Sequence, residues 1–197
     1  NGLIVKGESK IPLMVQKYQV PISRVFIEPP QAKALPESIQ AIQDADIIMM
    51  GPGSHFTSLL PNLLIEDLQE AIISSKAKKV LAMNLLTQPG ETQNMTAMDH
   101  IESLLGHTRI GLIDYVLINN GHVEPTVEAR YKKEGAVFLD LSEEEEAQLQ
   151  GQGIQVVRDA IIEVKQGYIR HDACKLSEIL IDLLDTKPYI AKHTPTT

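Results

Sequence analysis

The chain has 197 residues, of which 43% are hydrophobic and 22% charged, and its formal net charge is −8. This composition predicts a single globular domain over 1–197 with a sizeable core, and it argues against nucleic acid as the main partner, because phosphate backbones are bound through basic surfaces. Cys174 is the only cysteine, which excludes an internal disulfide, and no apolar run approaches the length of a membrane span. We therefore expect a cytoplasmic protein with no membrane insertion.

The first thirty residues predict a β-rich entry segment, 1–30. Leu3–Val5 and Val25–Ile27 are short apolar runs, and the stretch from Pro12 to Pro21 is predicted to be irregular or an edge strand, because each proline removes a ladder donor. The sequence starts at Asn1 without a methionine and enters strand-like residues at once. We therefore expect that an N-terminal portion precedes it.

Three strand–loop–helix units follow a predicted helix over Pro36–Ala45. The predicted strands are Ile47–Met50, Lys79–Met83 and Tyr115–Ile118. The first strand carries no polar residue, which is typical of a strand covered on both faces. Strands that alternate with amphipathic helices predict an α/β fold with a parallel sheet and right-handed crossovers.

Further elements are predicted from capping patterns and short apolar runs. Thr96 can cap a helix with Asp99 three residues later, and Ser142 with Glu145 forms a capping box that opens an acidic helix. The remaining predictions are a helix over Pro125–Glu134, strands over Ile154–Val157, Ile161–Val164 and Tyr168–Ile169, a terminal helix with Leu176, Ile179, Leu180 and Leu183 on one face, and a frayed tail over 185–197.

A glycine-rich turn, GPGSHFTS, comes directly after the first predicted strand. Gly51 and Gly53 permit a tight turn and the close approach of a ligand, because neither has a side chain. Ser54 and Thr57 add hydroxyls near a helix start, where free N–H groups and the helix dipole favour an anion. The turn is a candidate site for a phosphate or diphosphate, and an ordinary strand-to-helix turn explains the same residues.

The carboxyl ends of parallel strands meet at one edge of a sheet, where ligands bind in open α/β folds. Three loops should converge there, namely Gly51–Ser58, Asn84–Asn94 and Asn119–Gly121, and all three are rich in neutral hydrogen-bonding groups. Such groups suit a sugar, a nucleoside or a phosphate better than a metal. The candidate ligand-binding residues in the second and third loops are Asn84, Thr87, Gln88, Glu91 and Asn119.

Charged and titratable residues leave alternatives open. Glu91 can hold a hydroxyl or a divalent ion, or it can cap the next helix. His55 lies in the glycine turn, where it can contact a ligand or be a solvated loop residue. Arg170 can pair with a phosphate and stack on a base, or it can form a surface salt bridge. The six histidines lack the ligand spacing of a zinc centre.

Long segments of the chain resemble a known family. The segments IIMMGPGSHFTSLLPNLL, NLLTQPGETQNMTAMDHI, DYVLINNG and IRHD resemble the bacterial gluconeogenesis factors, which are homologous to 2-phospho-L-lactate transferase in the CofD-like superfamily. KGESKI and RVFIEPP extend the resemblance over nearly the whole chain. The resemblance implies a three-layer α/β/α Rossmann-like fold with a mostly parallel sheet and a small β-rich appendage. It also implies that these residues are the C-terminal two-thirds of a longer chain, without the family's N-terminal glycine-rich unit.

The same resemblance implies a regulatory protein that binds a UDP-sugar such as UDP-N-acetylglucosamine, needs no cofactor, and supports cell shape and cell-wall precursor supply under gluconeogenic growth. Gly51–Ser54 and Thr57 would approach the diphosphate or the sugar. Tyr131 and Arg170 would hold the uridine end by stacking and charge-assisted hydrogen bonds. The resemblance implies an exposed sheet edge, so either partner chains cover it or the sequence is incomplete, and a homo-oligomer is expected.

An enzyme of the transferase branch is the alternative. The resemblance then implies transfer of a phospholactyl group from a guanosine-diphosphate-activated donor to a deazaflavin, with Mg²⁺ assisting the release of GMP. Glu91 is the best candidate for holding Mg²⁺. The low aromatic content of 4% gives little support for a site that binds a flat tricyclic ring, so the binding protein is favoured over the enzyme.

Overall fold

The computed structural model describes residues 2–185, and its central layer is a four-stranded parallel sheet. The strands lie side by side in chain order and cover Ile47–Met50 (β1), Lys78–Ala82 (β2), Tyr115–Asn119 (β3) and Gln155–Asp159 (β4). The predicted α/β class and the first three predicted strands are confirmed. The fourth strand, predicted from Ile154–Val157, joins the same sheet by pairing in parallel with β3.

Helices alternate with these strands. They cover Ile11–Tyr18 (α1), Pro36–Asp44 (α2), Leu60–Leu63 (α3), Glu66–Ser74 (α4), Ala97–His107 (α5), Pro125–Lys133 (α6), Glu143–Gly151 (α7) and Ala173–Asp185 (α8). Both predicted capping boxes form. The Thr96 N–H donates to Asp99 at 2.7 Å and the Asp99 N–H to Thr96 at 3.0 Å, and Ser142 and Glu145 exchange the equivalent pair of bonds at the start of α7.

The sheet separates two apolar cores, as the two-residue period of a strand requires. Leu81 and Val116 enter a core shared with α3, α4, α5 and α7. Val80 and Leu117 enter a second core on the other face, shared with α6 and α8. The predicted three-layer α/β/α arrangement is therefore confirmed.

Strand β1 lies at the edge of the sheet. Met50 is buried, but 39% of Met49 is exposed, so the prediction that the whole strand is covered on both faces is wrong. A cleft of about 390 Å³ opens beside this strand and reaches Gly51, Gly53 and Ser58 in the glycine turn. The edge position of β1 therefore leaves the predicted phosphate loop accessible from one side.

The small antiparallel sheet is a hairpin near the end of the described chain. Strand β5 covers Ile162–Lys165 and β6 covers Tyr168–His171, and within residues 2–185 the two pair only with each other. This hairpin, which we call the β5–β6 hairpin, is the β-rich appendage of the fold. Two of the short apolar runs predict its position, although β5 is shifted by one residue from its run and β6 extends two residues beyond its run.

The predicted β-rich entry segment is wrong, because residues 2–30 contain no strand. Helix α1 occupies the region that was read as an edge strand. Pro12 lies in the first turn of α1, where a missing N–H costs no helical hydrogen bond. The helix ends at Gln19, whose φ is 51°, and Pro21 lies beyond that end. A proline pattern that excludes a central strand is equally compatible with a short helix.

Within residues 2–185, we find no helix that combines the length and the apolar character needed to cross a membrane.

The predicted frayed tail over 185–197 lies, except for its first residue, outside the described residues. Its first residue, Asp185, is the last residue of α8.

The packing of α1 against the loop after β2 can be tested at Gly90. Its φ is +88°, and an added Cβ would lie 3.0 Å from the Gln16 side chain and 3.2 Å from the Pro12 carbonyl. We expect Gly90→Ala to lower the free energy of unfolding by about 1–3 kcal/mol in urea denaturation, from backbone strain together with crowding of α1.

Gly135→Ala is the matched control. Its φ is +83°, but among the described residues no heavy atom would lie within 4 Å of the new Cβ. The control therefore carries the backbone strain without the crowding, and it should cost less than Gly90→Ala. Equal losses in the two variants would contradict tight packing of α1 on this loop.

Candidate functional site

The three candidate loops lie together at the carboxyl edge of the sheet. Met50 at the end of β1 pairs with Leu81, and Ala82 at the end of β2 pairs with Leu117. Because neighbouring strands end at nearly the same level, the residues that follow them meet at one edge. The predicted convergence of loops is therefore present in the fold.

The glycine turn is bound to Asn84, the first residue of the loop Asn84–Asn94, which we call the middle loop. The Asn84 side-chain amide donates to the Gly53 carbonyl at 2.9 Å, and the Gly53 N–H donates back to the Asn84 Oδ1 at 3.3 Å. Gly51 has a φ of +79°, and an added Cβ would lie 3.0 Å from the Ala82 carbonyl. Glycine is therefore required at residue 51 by close approach to β2, whether or not a ligand binds.

A π-helical turn over His55–Leu59 connects the glycine turn to α3. Two of its donors are already bound by a buried carboxylate. Glu91, which is only 3% exposed, accepts a bond from the Thr57 hydroxyl at 2.6 Å and one from the Phe56 N–H at 3.2 Å. Gln88 adds a third, longer bond of 3.4 Å to the same carboxylate.

This arrangement changes the expected chemistry of the glycine turn. An anion does lie at the helix start, as the dipole and free N–H groups favour, but it is the chain's own Glu91. Both carboxylate oxygens of Glu91 accept hydrogen bonds inside the protein, so Glu91 joins the middle loop to the π-helical turn. Thr57 and Gln88 are engaged by that carboxylate.

Thr87 connects the middle loop to the segment after α6. Its side-chain oxygen accepts a bond from the Val137 N–H at 2.9 Å, and its own N–H donates to the Val137 carbonyl at 2.8 Å. Thr87 is only 4% exposed. It therefore holds two segments of the site together.

Asn119 stabilises the third loop. Its side chain donates to the Gly121 carbonyl at 2.8 Å and accepts from the Gly121 N–H at 3.2 Å. An added Cβ at Gly121 would lie 2.8 Å from the Ile162 side chain. The third loop therefore packs directly against the start of the β5–β6 hairpin.

A histidine attaches the hairpin to the residue that directly precedes the middle loop. His171, the last residue of β6, is bonded by its Nε2 to the Met83 carbonyl at 3.0 Å, so this nitrogen carries the proton. Burial lowers the pKa of His171, against the opposing effect of that hydrogen bond. Met83 directly precedes Asn84, so consecutive residues hold the hairpin on one side and the glycine turn on the other.

The two residues expected at the uridine end lie where α6 meets the hairpin. The Tyr131 hydroxyl accepts a bond from the Ile169 N–H at 3.0 Å, and the Arg170 guanidinium donates to the Ile169 carbonyl at 2.9 Å. Tyr131 is half-buried and Arg170 is exposed. Both side chains therefore contact the same residue of β6, and Arg170 is the one that faces solvent.

His55 is buried, so its interpretation as a solvated loop residue is wrong. It is only 3% exposed, lies 3.0 Å from the Ser103 hydroxyl, and packs edge-to-face on His100 with ring centres 5.1 Å apart. Burial, together with the charges of His100 and His107, lowers the pKa of His55 to about 3. The glycine turn therefore contains a buried histidine that is neutral at pH 7.

Sequence reasoning missed several residues that build this site. His100, Ser103 and His171 were given no role, and only the tertiary structure brings them to the loops. Tyr168 and Arg130 lie beside the two predicted uridine-binding residues. The sequence carried a signal for them, because Arg130 directly precedes Tyr131 and Tyr168 is two residues before Arg170, on the same face of a strand.

Among residues 2–185, no group of three or more histidine, cysteine or acidic side chains is placed to hold a metal ion. The expected Mg²⁺ ligand, Glu91, has both oxygens bonded to Phe56, Thr57 and Gln88. The donor set of the described residues therefore does not fit Mg²⁺ at Glu91.

Residues 1–162 match the family model described as 2-phospho-L-lactate transferase CofD. The gluconeogenesis factor of Bacillus subtilis is 43% identical over 184 residues, which are 93% of this chain and 56% of that protein. The gluconeogenesis factor of Halalkalibacterium halodurans is 40% identical over 92% of this chain and 54% of its own length.

A crystal structure of a Bacillus halodurans protein, described as a member of the upf0052 family, is similar with a TM-score of 0.83 at 40% identity, and the match covers 91% of this chain and 56% of that one. This chain spans about half the length of the curated relatives it matches, which is less than the two-thirds that the resemblance implied.

The bond pair between Asn84 and Gly53 can be tested by Asn84→Ala. The variant leaves the half-buried N–H and carbonyl of Gly53 without their side-chain partner, so we expect a loss of about 1–3 kcal/mol in the free energy of unfolding. Asn62→Ala is the control, because its exposed side chain makes one bond to the Ser58 carbonyl. A loss no greater than that of the control would contradict the role of Asn84.

The pKa of His55 predicts how stability depends on pH. The folded pKa of about 3 lies below the unfolded value of 6.5, so the unfolded chain binds a proton first as the pH falls. Stability contributed by neutral His55 should therefore be complete above pH 6.5 and decrease between pH 6.5 and 3. At pH 5 the loss from this residue should be about 2 kcal/mol.

Chemical denaturation at pH 7 and pH 5 measures this effect. His55→Gln removes the titrating ring, so the difference between the two pH values should shrink. Ser103→Ala is the matched control, because it removes the hydrogen-bond partner of His55 but keeps the ring. An unchanged pH dependence in His55→Gln would show that His55 does not control it.

Proposed function

Since the chain belongs to the 2-phospho-L-lactate transferase CofD family, we propose that it forms part of a nucleotide-sugar-binding regulatory protein and not of an enzyme. The proposed ligand is a UDP-sugar such as UDP-N-acetylglucosamine. The proposed role is control of cell shape and cell-wall precursor supply during growth on gluconeogenic carbon sources. The name gluconeogenesis factor, carried by relatives 40–43% identical to this chain, supports a role of this kind.

One observation carries the proposal of a single binding cleft. Met83 and Asn84 are consecutive, and they bond to the β5–β6 hairpin and to the glycine turn respectively. The hairpin carries Arg170, the candidate for the uridine end, and the glycine turn carries the candidates for the sugar end. In our proposal the ligand extends between these two walls, over the middle loop.

The charges of the site favour an anionic ligand at the hairpin. Arg170 is exposed, and the structure of residues 2–185 contains no ion pair between its guanidinium and a carboxylate. At the glycine turn the charge of Glu91 disfavours a second anion close to Phe56 and Thr57. We therefore propose that the phosphates lie toward Arg170 and that the neutral sugar lies toward Gly53 and Ser54.

The proposal also includes a cytoplasmic location and a homo-oligomer. A partner chain would cover the edge strand β1, where Met49 is 39% exposed. Unpaired strand edges are surfaces on which another chain can bind.

The transferase alternative is supported by the description of the matching family model, which names 2-phospho-L-lactate transferase. It requires a group that stabilises charge on the departing phosphate, such as a metal ion or an arginine. Glu91 does not supply a metal ligand in the described residues, because its oxygens are bonded internally. We therefore place this function second.

Isothermal titration calorimetry on the intact natural protein distinguishes the two functions. We expect UDP-N-acetylglucosamine to bind without release of a nucleotide monophosphate. Consumption of a guanosine-diphosphate-activated phospholactate in the presence of a deazaflavin and Mg²⁺, with release of GMP, would make the transferase function correct and the regulatory function wrong.

Arg170→Ala tests the uridine end of the proposed cleft. Loss of a charge-assisted hydrogen bond should weaken UDP-sugar binding by about 10- to 100-fold while the protein remains folded. Arg109→Ala is the matched control, since Arg109 forms surface ion pairs with Glu66 and Glu70 away from the cleft. Undiminished binding by Arg170→Ala would remove this residue from the site.

A further inference from the structure

Four side chains form a row at the junction of α6 and the β5–β6 hairpin. The Arg130 guanidinium lies 5.1 Å from the centre of the Tyr131 ring and 5.8 Å from the centre of the Tyr168 ring. The Arg170 guanidinium lies 5.3 Å from the centre of the Tyr168 ring. We call these four residues the arginine–tyrosine row.

The row is held together by hydrogen bonds between side chains of α6 and backbone groups of the β5–β6 hairpin. Tyr168 and Arg170 are two residues apart on β6, so their side chains lie on the same face of the strand. Arg130 and Tyr131 lie in the last turns of α6. The Tyr131 hydroxyl accepts from the Ile169 N–H, and Arg130 donates to the Gly167 carbonyl, so the helix is attached to both the turn and the second strand of the hairpin.

The two guanidiniums of the row are not neutralised inside the described part of the chain. Arg109 and Arg158 each form ion pairs with two carboxylates, whereas residues 2–185 contain no such pair for Arg130 or Arg170. Glu163 lies opposite Arg170 in the hairpin ladder, but its carboxylate pairs with Lys165 at 3.7 Å.

The positive charges of Arg130 and Arg170, which lie 5.8 Å and 5.3 Å from the centre of the same ring, repel each other. The electron-rich face of Tyr168 offsets part of that repulsion. A diphosphate carries two phosphate groups, and it would offset the rest by presenting one phosphate group to each guanidinium. Tyr168 is 56% exposed, so a ligand can reach the row from solvent.

We propose that Arg130 is a second ligand-binding residue that acts together with Arg170 to bind a diphosphate group, and that Tyr168 is the positioning residue, because both guanidiniums lie against its ring. This inference rests on the proposed function, because it assigns the diphosphate of the nucleotide ligand to the arginine–tyrosine row. Guanidiniums suit this task because their planar N–H groups bind phosphate oxygens in pairs. The row then makes the site specific for diphosphates over neutral nucleosides.

The experiment compares three probes by calorimetry on the intact natural protein, namely inorganic pyrophosphate, UDP and uridine. Arg130→Gln should weaken the binding of pyrophosphate and UDP by about 10-fold or more, because it removes charge-assisted hydrogen bonds. The variant should leave any binding of the neutral uridine unchanged. A purely structural role of Arg130 would weaken all three probes alike.

Tyr168 is tested by two substitutions. Tyr168→Phe keeps the ring and should keep wild-type affinity for pyrophosphate, whereas Tyr168→Leu removes the ring face and should weaken binding. Arg109→Gln is the control for loss of a surface arginine, and its affinity should equal that of the wild type. Thermal unfolding of each variant confirms that the protein is folded.

The outcomes separate this inference from the proposed function. If the wild type does not bind pyrophosphate, or if Arg130→Gln binds it as tightly as the wild type, the inference is wrong whatever happens with UDP-sugars. If pyrophosphate binding depends on Arg130 but no UDP-sugar binds, the row is a diphosphate site and the proposed UDP-sugar function is wrong.

Discussion

The hydrogen bonds of one loop, Met83–Glu91, hold the candidate site together. The Met83 carbonyl accepts from His171, the Asn84 side chain binds both polar backbone groups of Gly53, and Thr87 binds both backbone groups of Val137. In addition, the Glu91 carboxylate accepts hydrogen bonds from Phe56 and Thr57 in the π-helical turn. Because buried polar groups require partners, each of these bonds also determines where a neighbouring segment lies. The sheet determines where this loop lies. The loop in turn determines how the glycine turn, the segment after α6 and the hairpin lie relative to one another.

This constraint also determines where the charges of the proposed ligand cleft lie. Glu91 brings a negative charge to the glycine turn, where the sequence pattern indicates a phosphate, and it accepts hydrogen bonds from the Phe56 N–H and the Thr57 hydroxyl. The positive charge lies at the other end, on Arg130 and Arg170 of the hairpin junction. In the cleft that we propose, a ligand with one anionic end and one neutral end would therefore have a preferred direction. The buried His55 is neutral at pH 7, so it adds no charge to the glycine turn.

Local patterns in the sequence predicted most of the sheet and the helices. The apolar runs of β1, β2 and β3 and the capping boxes of α5 and α7 depend on interactions within a few residues, so they can be recognised without a fold. The entry segment was predicted wrongly, because Pro12 excludes a central strand but also suits the first turn of a helix. What decides between these states is the packing of α1 on Gly90, and this contact joins residues far apart in the chain.

By itself, the sequence determined the α/β class, the family resemblance, and the convergence of three polar loops on one sheet edge. These conclusions follow from periodicity, motif spacing and the rule that parallel strands end at a common edge. Only the tertiary structure decided which of the polar groups in these loops bind each other. Thr57, Thr87, Asn84 and Glu91 are equally plausible as ligand contacts in the sequence, yet their partners are Glu91, Val137, Gly53 and the π-helical turn. The physical reason is that a hydroxyl, an amide or a carboxylate is satisfied by whichever partner folding brings within hydrogen-bond distance, and that partner is not encoded in neighbouring residues.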